Sequence, residues 1–322
     1  MERSSSIDSL SDDELYSLVE TVSRDRSQQV GYIPSIDGPI PYLVWRIAPD
    51  AVAKLSVGPS EAYTMQFVRN NTSIPVPTVR RVLPRPADRR GTEDRYWIVM
   101  DYIEGNTLFD VWETFSEERR REIIDALARY VRELQAVRPP HPSIPGPLHP
   151  KGTPVKCSGS FFTYDDAGPF RSYQEMASWF DRQRSRIRIY NHHVFGGLMA
   201  CPKFDASYPL VLCHMDIHPR NVLIDEAGTI WLLDWGYAGM YPVWFEYASI
   251  AVSVKADWRL AAVPAWKDLV ANASTIAGDY ARYYEDYLLV LFNSVGGINF
   301  DVQGQALGVV DDYFEKLGIT VD

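Results

Sequence analysis

A polar loop that follows an apolar stretch carries the residues of this chain best suited to chemistry. Residues 214–221 read HMDIHPRN, and residues 234–236 further along read DWG. Asp216 and Asp234 are acids that can accept a proton or bind a cation, and Asn221 adds an amide oxygen. The two segments therefore offer a candidate base and candidate metal ligands.

The stretch between these two segments predicts a β-hairpin. Segments 221–225 and 229–234 are rich in β-branched and apolar residues, and the turn between them reads EAG. An antiparallel hairpin centred on that turn would bring Asn221 opposite Asp234 and its neighbour. Amide and carboxylate oxygens suit Mg²⁺, which binds few protein carboxylates and leaves positions for phosphate oxygens. The pattern predicts a metal–phosphate centre at the open end of the hairpin, beside Asp216.

These motifs resemble those of a known family. The pattern H-x-D-x-x-x-x-N followed by D-x-G resembles the catalytic and metal-binding loops of protein-kinase-like phosphotransferases. The version here, with HP in the loop and then DWG, is more similar to aminoglycoside phosphotransferases and choline kinases than to protein kinases. The resemblance implies that Asp216 orients an acceptor hydroxyl and takes its proton. It also implies that Asn221 and Asp234 hold Mg²⁺ against the phosphates of ATP.

Further residues of the two segments receive supporting roles from this resemblance. His214 would pack and hydrogen-bond to shape the loop. His218 and Arg220 are possible supporting residues, and Arg220 would either add positive charge near the transferring phosphoryl group or be exposed. Gly236 is expected to allow backbone conformations after Asp234 that a side chain would hinder.

Two residues earlier in the chain are candidates for holding the phosphates. Lys54 lies near the end of a predicted β-hairpin strand in the sequence VAKL, and Glu61 lies in the first turn of a predicted helix with Ser60 as its N-cap. By themselves they read as a solvent-facing strand lysine and a first-turn acid favoured by the helix dipole. The following stretch FVRNNTSIPVPTV, residues 67–79, matches fungal-type members of the family. The resemblance implies that Lys54 clamps phosphates and Glu61 fixes Lys54.

A third element is the predicted hinge. The sequence YWIVMDYIEGNTL from residue 96 resembles the family's edge strand and hinge, in which backbone groups hold adenine. Met100, Asp101, Tyr102 and Ile103 are the corresponding nucleotide-binding positions, although an ordinary buried strand and turn would look the same. The protein-kinase glycine loop is absent, because residues 31–41 read GYIPSIDGPIP.

Composition excludes several other classes of protein. The chain has 322 residues and a formal net charge of −10, which argues against nucleic acid or an anionic membrane as a partner. Its three cysteines lack zinc-ligand spacing, the polar start lacks a signal-peptide core, and no apolar run is long enough to span a bilayer. A cytoplasmic location in a reducing compartment is therefore expected.

Other elements follow from local patterns. Ser11 to Glu14 predicts a capping box that starts a short amphipathic helix, and 116–137 predicts the clearest helix of the chain. The Pro-rich piece 139–154 is expected to be irregular. The His192–His193 pair is expected to lie on the surface. Residues 250–320 have a helical pattern, and the resemblance places the acceptor pocket there. Acids such as Asp279, Glu285 and Asp286 would either recognise a cation in that pocket or be surface charges.

The whole sequence predicts an α+β protein with a protein-kinase-like two-lobed fold. Residues 1–103 would form a small β-rich N-lobe, and residues 104–322 a larger, mainly helical C-lobe. The expected activity is ATP- and Mg²⁺-dependent phosphorylation of a hydroxyl group on a small molecule. A nucleotide-binding pseudokinase and a protein kinase remain alternatives, although the short segment between Asp234 and Glu246 favours a small acceptor over a peptide.

Overall fold

The computed structural model describes eight stretches of the chain. These are residues 7–33, 40–41, 43–85, 95–159, 161–162, 167–195, 203–253 and 262–283. Residues 34–39, in the region where a protein-kinase glycine loop would lie, are therefore outside the described residues. Cys201, Glu285 and Asp286 are outside them as well. His192 and His193 lie in a described helix whose side chains at those positions are not described.

An antiparallel four-stranded sheet forms the centre of the N-lobe. Strands β3 (Val44–Ala48) and β4 (Ala51–Val57) form the predicted hairpin, and β5 (Val79–Arg85) and β6 (Arg95–Asp101) complete the sheet in the order β3-β4-β6-β5. A separate pair consists of β1 (Tyr32–Ile33) and β2 (Ile40–Pro41).

The prediction that the strand before the hinge is an edge strand was wrong. β6 pairs with β4 on one side and with β5 on the other, so it lies inside the sheet. The sequence of β5, VRRVLPR, lacks the apolar alternation of a typical strand and contains a proline. A strand of that composition is tolerated where one side of the backbone remains unpaired.

The first helix is part of the N-lobe core. Helix α1 (Asp12–Val22) begins with the predicted capping box, because Ser11 Oγ accepts the Glu14 N–H and the Glu14 carboxylate accepts the Ser11 N–H at 2.9 Å. Its Leu15 and Val19 are buried against the outer face of the sheet, in a cluster that includes Trp97. Apolar burial of this extent ties the start of the chain to the sheet.

Helix α2 (Ser60–Asn71) begins one residue earlier than predicted. Pro59 is the N-cap, Ser60 is the first helical residue, and no side chain caps the helix. Ser60 as N-cap was therefore wrong. Proline has no N–H to leave unsatisfied, so it fits the start of a helix without a side-chain cap.

The C-lobe is mainly helical, with one short three-stranded sheet and one two-stranded ribbon. Its helices are α3 (Leu108–Val111), α4 (Glu117–Ala136), α5 (Tyr173–Phe195), α6 (Phe245–Val252), α7 (Pro264–Ala271), α8 (Ala273–Ala277) and α9 (Ala281–Tyr283). The N-lobe contains a single 3₁₀ turn at Arg26–Gln28, and the C-lobe contains another at Trp112–Thr114. Its strands are β7 (Asn106–Thr107), β8 (Leu210–Cys213), β9 (Val222–Ile224), β10 (Ile230–Leu232) and β11 (Gly239–Pro242).

Two cores hold the C-lobe and position its loops. One joins the inner side of α4 to α7, α8 and the β9/β10 ribbon, and it also receives Met65 and Val68 from α2. The other is rich in aromatic side chains and lies between α5, α6 and the β8/β11 ribbon. The Pro-rich segment is irregular, as predicted, apart from a bridge between Gly146 and Met240.

The fold is thus the predicted α+β, two-lobed, kinase-like arrangement, with an antiparallel sheet followed by a mainly helical part. The lobe boundary after Ile103 remains a prediction. Of the helices described, none has both the length and the apolar character needed to cross a bilayer.

Candidate active site

The predicted hairpin brings the two motif segments together. β9 and β10 are antiparallel, with Val222 paired to Leu232. One step beyond this pair, the Leu233 N–H donates to the Asn221 carbonyl oxygen at 2.8 Å. Asn221 and Asp234 therefore lie at the same open end of the hairpin, as the sequence predicted.

The side chain of Asn221 holds Asp216 in place. Its Nδ2 donates to the carbonyl oxygen of Asp216 at 3.0 Å and to the carboxylate Oδ2 at 2.8 Å. The other carboxylate oxygen, Oδ1, lies 3.5 Å from His218 Nε2. Asp216 is thus oriented by an amide on one side and an imidazole on the other, and it remains partly exposed.

Lys54 connects the N-lobe to this hairpin. Its Nζ lies 2.6 Å from Glu61 Oε1 and 2.7 Å from Asp234 Oδ1, and Ser56 Oγ donates to the second oxygen of Glu61 at 3.0 Å. The solvent-facing alternative for Lys54 is excluded, because its side chain is 14 % exposed and that of Glu61 is 4 % exposed. Burial alone would lower the pKa of Lys54, but the charges of Asp234 and Glu61 raise it above its usual value.

The donor atoms of the hairpin end fit a hard cation. Asn221 donates its amide hydrogens to Asp216, and no described residue donates to its Oδ1. Asp234 Oδ1 accepts from Lys54 and from the Gly236 N–H, and its Oδ2 likewise receives no donor from the described part of the chain. One carboxylate and one amide oxygen match the few protein ligands of a phosphate-bound Mg²⁺. Within the described residues, no cluster of three or more His, Cys, Asp or Glu side chains forms a metal site.

Backbone strain lies at Met215 and Asp234 and not at Gly236. Met215 has a φ of 70° and Asp234 a φ of 59°, both in the left-handed region. Gly236 does not have a positive φ, so the expected reason for this glycine was wrong. A Cβ there would lie 3.4 Å from Asp234 Oδ1 and 3.9 Å from Lys54 Nζ. These are ordinary contact distances, so a methyl group would fit there beside the ion pair.

His214 is a fully buried residue that shapes the loop. Its Nδ1 accepts the Asp216 N–H at 3.2 Å, so Nε2 carries the hydrogen and donates to the Leu233 carbonyl oxygen at 3.0 Å. The ring packs edge-on against Trp235, with ring centroids 4.5 Å apart. Burial lowers the pKa of His214 to about 4 despite the nearby carboxylates. The imidazole is therefore neutral at physiological pH.

Glu246 is a site residue to which sequence reasoning assigned no role. It is 1 % exposed, and its carboxylate accepts the backbone N–H of His214 at 2.6 Å and that of Met215 at 3.0 Å. Burial raises the pKa of Glu246 to about 7, although these hydrogen bonds oppose the rise. The sequence feature that could have identified Glu246 is the pattern G-x-x-P-x-x-x-E at residues 239–246. Its spacing does not reveal that the glutamate points back at the loop.

A cavity of about 310 Å³ opens between the lobes at this site. Lys54, Glu61, Asn221 and Asp234 lie on its wall, and so do Met100, Asp101, Tyr102 and Ile103 of the predicted hinge. Gly105 also lines the cavity, and a Cβ there would lie 2.4 Å from the Ile224 carbonyl oxygen. Only glycine permits this close contact between the hinge and the hairpin.

The hinge is fixed by interactions outside the cavity. The Asp101 carboxylate accepts from Arg80 Nε at 2.8 Å, and the same guanidinium lies 3.1 Å from the Asp50 carboxylate and 3.7 Å from that of Asp8. The Tyr102 N–H donates to the Asp50 carbonyl oxygen at 2.9 Å, and Arg46 lies 4.1 Å above the Tyr102 ring. The next amide, Ile103 N–H, has no acceptor among the described residues.

His218 and Arg220 both pack on Trp266 of α7. The His218 ring stacks on the indole at 5.1 Å, and the Arg220 guanidinium lies 4.8 Å from its centroid. His218 Nδ1 accepts the Arg220 N–H at 3.3 Å, which leaves Nε2–H directed at Asp216. Arg220 lines the cavity next to Asn221, whereas Asp216 and His218 do not line it.

Tyr237 is a second residue of the site that the sequence did not single out. It is 38 % exposed and packs against the backbone of Gly159, where an added Cβ would lie 3.2 Å from the ring. Partial burial raises the pKa of Tyr237, and the charges of Asp216 and Asp234 raise it further. The phenol thus lies beside both motif acids.

The solved structures that match this chain are distant in sequence. An apo thermostable mutant of aminoglycoside phosphotransferase APH(4)-Ia is 15 % identical with a TM-score of 0.48, covering 93 % of this chain and 94 % of its own. Spectinomycin phosphotransferase APH(9)-Ia, solved with ADP and spectinomycin, is 13 % identical with a TM-score of 0.44, covering 87 % and 86 %. Comparison with curated protein sequences gives no significant match.

The family comparison is decisive because it spans most of the chain. Residues 36–285 match the phosphotransferase enzyme family, known as APH. The matched range contains every motif residue described above, from Lys54 to Glu246. This protein belongs to the APH phosphotransferase enzyme family.

Proposed function

We propose that this protein transfers the terminal phosphoryl group of ATP, with Mg²⁺, to a hydroxyl group of a small molecule. The observation that carries the proposal is the position of Lys54. Its Nζ bridges Glu61 of α2 and Asp234 of the hairpin at 2.6 and 2.7 Å, at the wall of the cavity between the lobes. Phosphoryl transfer depends mainly on positioning and charge neutralisation, which this arrangement supplies.

Asp216 is the residue we assign to the acceptor. Asn221 and His218 hold its two carboxylate oxygens, so its orientation does not depend on a bound substrate. In this position it would orient the acceptor hydroxyl and take its proton as the oxygen attacks phosphorus. The developing negative charge passes to the departing ADP, and Lys54 would stabilise the non-transferred phosphates.

Asn221 Oδ1 and Asp234 Oδ2 would hold Mg²⁺, since neither has a donor among the residues that the structure describes. When bound, the ion neutralises phosphate charge and fixes the phosphate geometry. Met100, Asp101, Tyr102 and Ile103 would hold the adenine. Ile103 offers the free backbone N–H for this purpose, because the N–H groups of Asp101 and Tyr102 already donate to Thr78 and Asp50.

The segment after Asp234 supports a small acceptor over a peptide. β11 pairs with β8 along its full length, and α6 begins at Phe245. This leaves no long loop between Asp234 and Glu246 on which an extended peptide could dock. The cytoplasmic location expected from the sequence is part of the same proposal, and Cys157 and Cys213 are buried free thiols.

The test compares nucleotide binding with phosphoryl transfer in matched variants. We expect Asp216→Ala to bind ATP with Mg²⁺ like wild type but to lose transfer to an acceptor panel, because binding does not need the base. We expect Asp234→Ala to lose the Mg²⁺ dependence of ATP binding as well as transfer. Asp13→Ala, an exposed acid of α1, is the control.

Three outcomes would contradict the proposal. Full activity of either active-site variant would exclude the assigned roles. Binding of ATP by wild type with no turnover on any acceptor would favour a pseudokinase. Phosphorylation of peptides in preference to small alcohols would favour a protein kinase.

A further inference from the structure

Arg220 is a basic residue on the cavity wall that has no counter-charge among the described residues. Lys54 and Arg220 are the two basic side chains that line the cavity within the described residues. Lys54 is already paired with two carboxylates, so that group of three carries a net negative charge. Arg220 forms no ion pair and no side-chain hydrogen bond with any described residue, and its Nε and Nη1 are buried without an acceptor.

A half-buried guanidinium without an acceptor is costly. The Arg220 guanidinium lies on Trp266, a residue that is 1 % exposed and whose Nε1 donates to Ser253 Oγ at 3.0 Å. The side chain therefore rests on a buried ring next to Asn221 with its donors unused, which is the arrangement of a binding site for an anion.

We propose that Arg220 is a phosphate-binding residue for the nucleotide. This inference rests on the function proposed above. ATP brings several negative charges to a wall on which the Lys54 group is already net negative, so a free cation from the C-lobe would balance them. The chain also lacks the glycine-rich sequence that covers phosphates in protein kinases. Arg220 supplies from the C-lobe a contact that a glycine loop supplies from the N-lobe.

The experiment separates phosphate contacts from adenosine contacts. Affinities of Mg²⁺·ADP and of adenosine are measured by calorimetry for wild type, Arg220→Gln and Arg220→Lys. We expect Arg220→Gln to weaken ADP binding by about tenfold to hundredfold, the typical effect of losing charge-assisted hydrogen bonds, with adenosine affinity unchanged. Arg220→Lys keeps the charge and loses the planar fork, so its ADP affinity should fall between the two.

Arg120→Gln is a matched control. Arg120 also lies over a tryptophan, 5.6 Å from the Trp112 centroid, and it does not line the cavity. Its replacement should therefore leave ADP binding unchanged, and thermal unfolding of both glutamine variants shows whether each is folded. If Arg220→Gln cannot be purified in folded form, the Arg220→Lys result decides.

The outcomes distinguish this inference from the function on which it rests. Equal ADP affinity in wild type and in both Arg220 variants would overturn the phosphate assignment while leaving the proposed activity intact. Unchanged ADP affinity together with weaker use of a carboxylate-bearing acceptor would also overturn it, since Arg220 would then serve the acceptor. Equal losses of ADP and adenosine binding would show a structural effect and would overturn it as well. Failure of wild type to bind ADP would refute the proposed function itself.

Discussion

The carboxylate of Glu246 accepts a hydrogen bond from the backbone of Met215, the strained residue directly before Asp216. Its Oε1 accepts the Met215 N–H at 3.0 Å, at a backbone position with a φ of 70°. A methionine in the left-handed region costs about 1–2 kcal/mol and persists only where the surroundings enforce it. Glu246 therefore positions the loop without contacting the cavity, and its protonation bears on the stability of that loop.

Replacing Glu246 by glutamine should reveal how the titration of His214 changes the unfolding free energy with pH. The native pKa of Glu246 is raised from 4.5 to about 7, so its favourable contribution is present below pH 4.5 and lost as the pH rises to 7. The contribution of His214 to the unfolding free energy changes in the opposite direction, because it falls as the pH drops below 6.5. We expect Glu246→Gln to lose about 2 kcal/mol of unfolding free energy between pH 6.5 and 4.5 relative to wild type. Urea unfolding at the two pH values measures this.

Glu133→Gln is the control for that variant. Glu133 also accepts a backbone N–H, from Ser73 at 2.8 Å, but at an exposed position. Its replacement should leave the pH profile unchanged, and identical profiles for the two glutamine variants would contradict the role given to Glu246.

Replacing His214 by glutamine should produce the opposite profile. The native pKa of His214 is lowered from 6.5 to about 4, so its contribution is full above pH 6.5 and is lost as the pH falls towards 4. Without it, the rise in stability from Glu246 on acidification is no longer offset. We expect the unfolding free energy of His214→Gln to increase by about 2 kcal/mol relative to wild type between pH 6.5 and 4.5. A flat difference would contradict this, and His141→Gln, at an exposed position, is the control.

Lys54 and Glu61 should be strongly coupled in a double-mutant cycle. Lys54→Met leaves the buried carboxylate of Glu61 beside Asp234 with no cation, which typically costs about 3 kcal/mol or more. The double variant Lys54→Met with Glu61→Gln removes that uncompensated charge and should recover part of the loss. The exposed Arg119–Glu122 pair at 2.9 Å should show coupling below about 1 kcal/mol. Equal coupling in both pairs by urea unfolding would refute this.

Gly105 and Gly58 should respond differently to alanine. At Gly105 the new Cβ would lie 2.4 Å from the Ile224 carbonyl oxygen, so the hinge must shift, at a cost of about 2–3 kcal/mol. At Gly58 there is nothing within 4 Å, and only its φ of +84° is unfavourable, which costs about 1 kcal/mol. We also expect Gly105→Ala to weaken ATP binding, because Gly105 lines the cavity. If Gly105→Ala and Gly58→Ala changed ATP affinity equally, the contact between Gly105 and the hairpin would not matter for ATP binding.

Local patterns in the sequence predicted the elements that carry the site. The β9/β10 hairpin, the capping box of α1 and the positions of Lys54 and Glu61 follow from alternation, turn residues and helix-start residues, all of which act over a few positions. For the same reason Asn221 and Asp234 could be placed together before their contacts were known.

Features that depend on tertiary packing were not predictable in this way. β5 is a strand because β6 offers it an unpaired edge, although its charged sequence gives no strand pattern. The bond of Glu246 to the loop joins residues about thirty positions apart. Whether the φ of Gly236 is positive also depends on its tertiary setting. The setting of Arg220 depends on Trp266, which no local motif links to it.

The position of α1 limits how the start of this chain can be altered. The residues just before it reach the hinge through Arg80, which contacts both Asp8 and Asp101. The helix itself adds Glu20, which accepts hydrogen bonds from Arg85 and Trp97 of the sheet. A shortened version that begins inside α1 would lose cover from the sheet and one acid from the hinge cluster. Purification tags and truncations should therefore be designed to keep the chain intact from Ile7 onward.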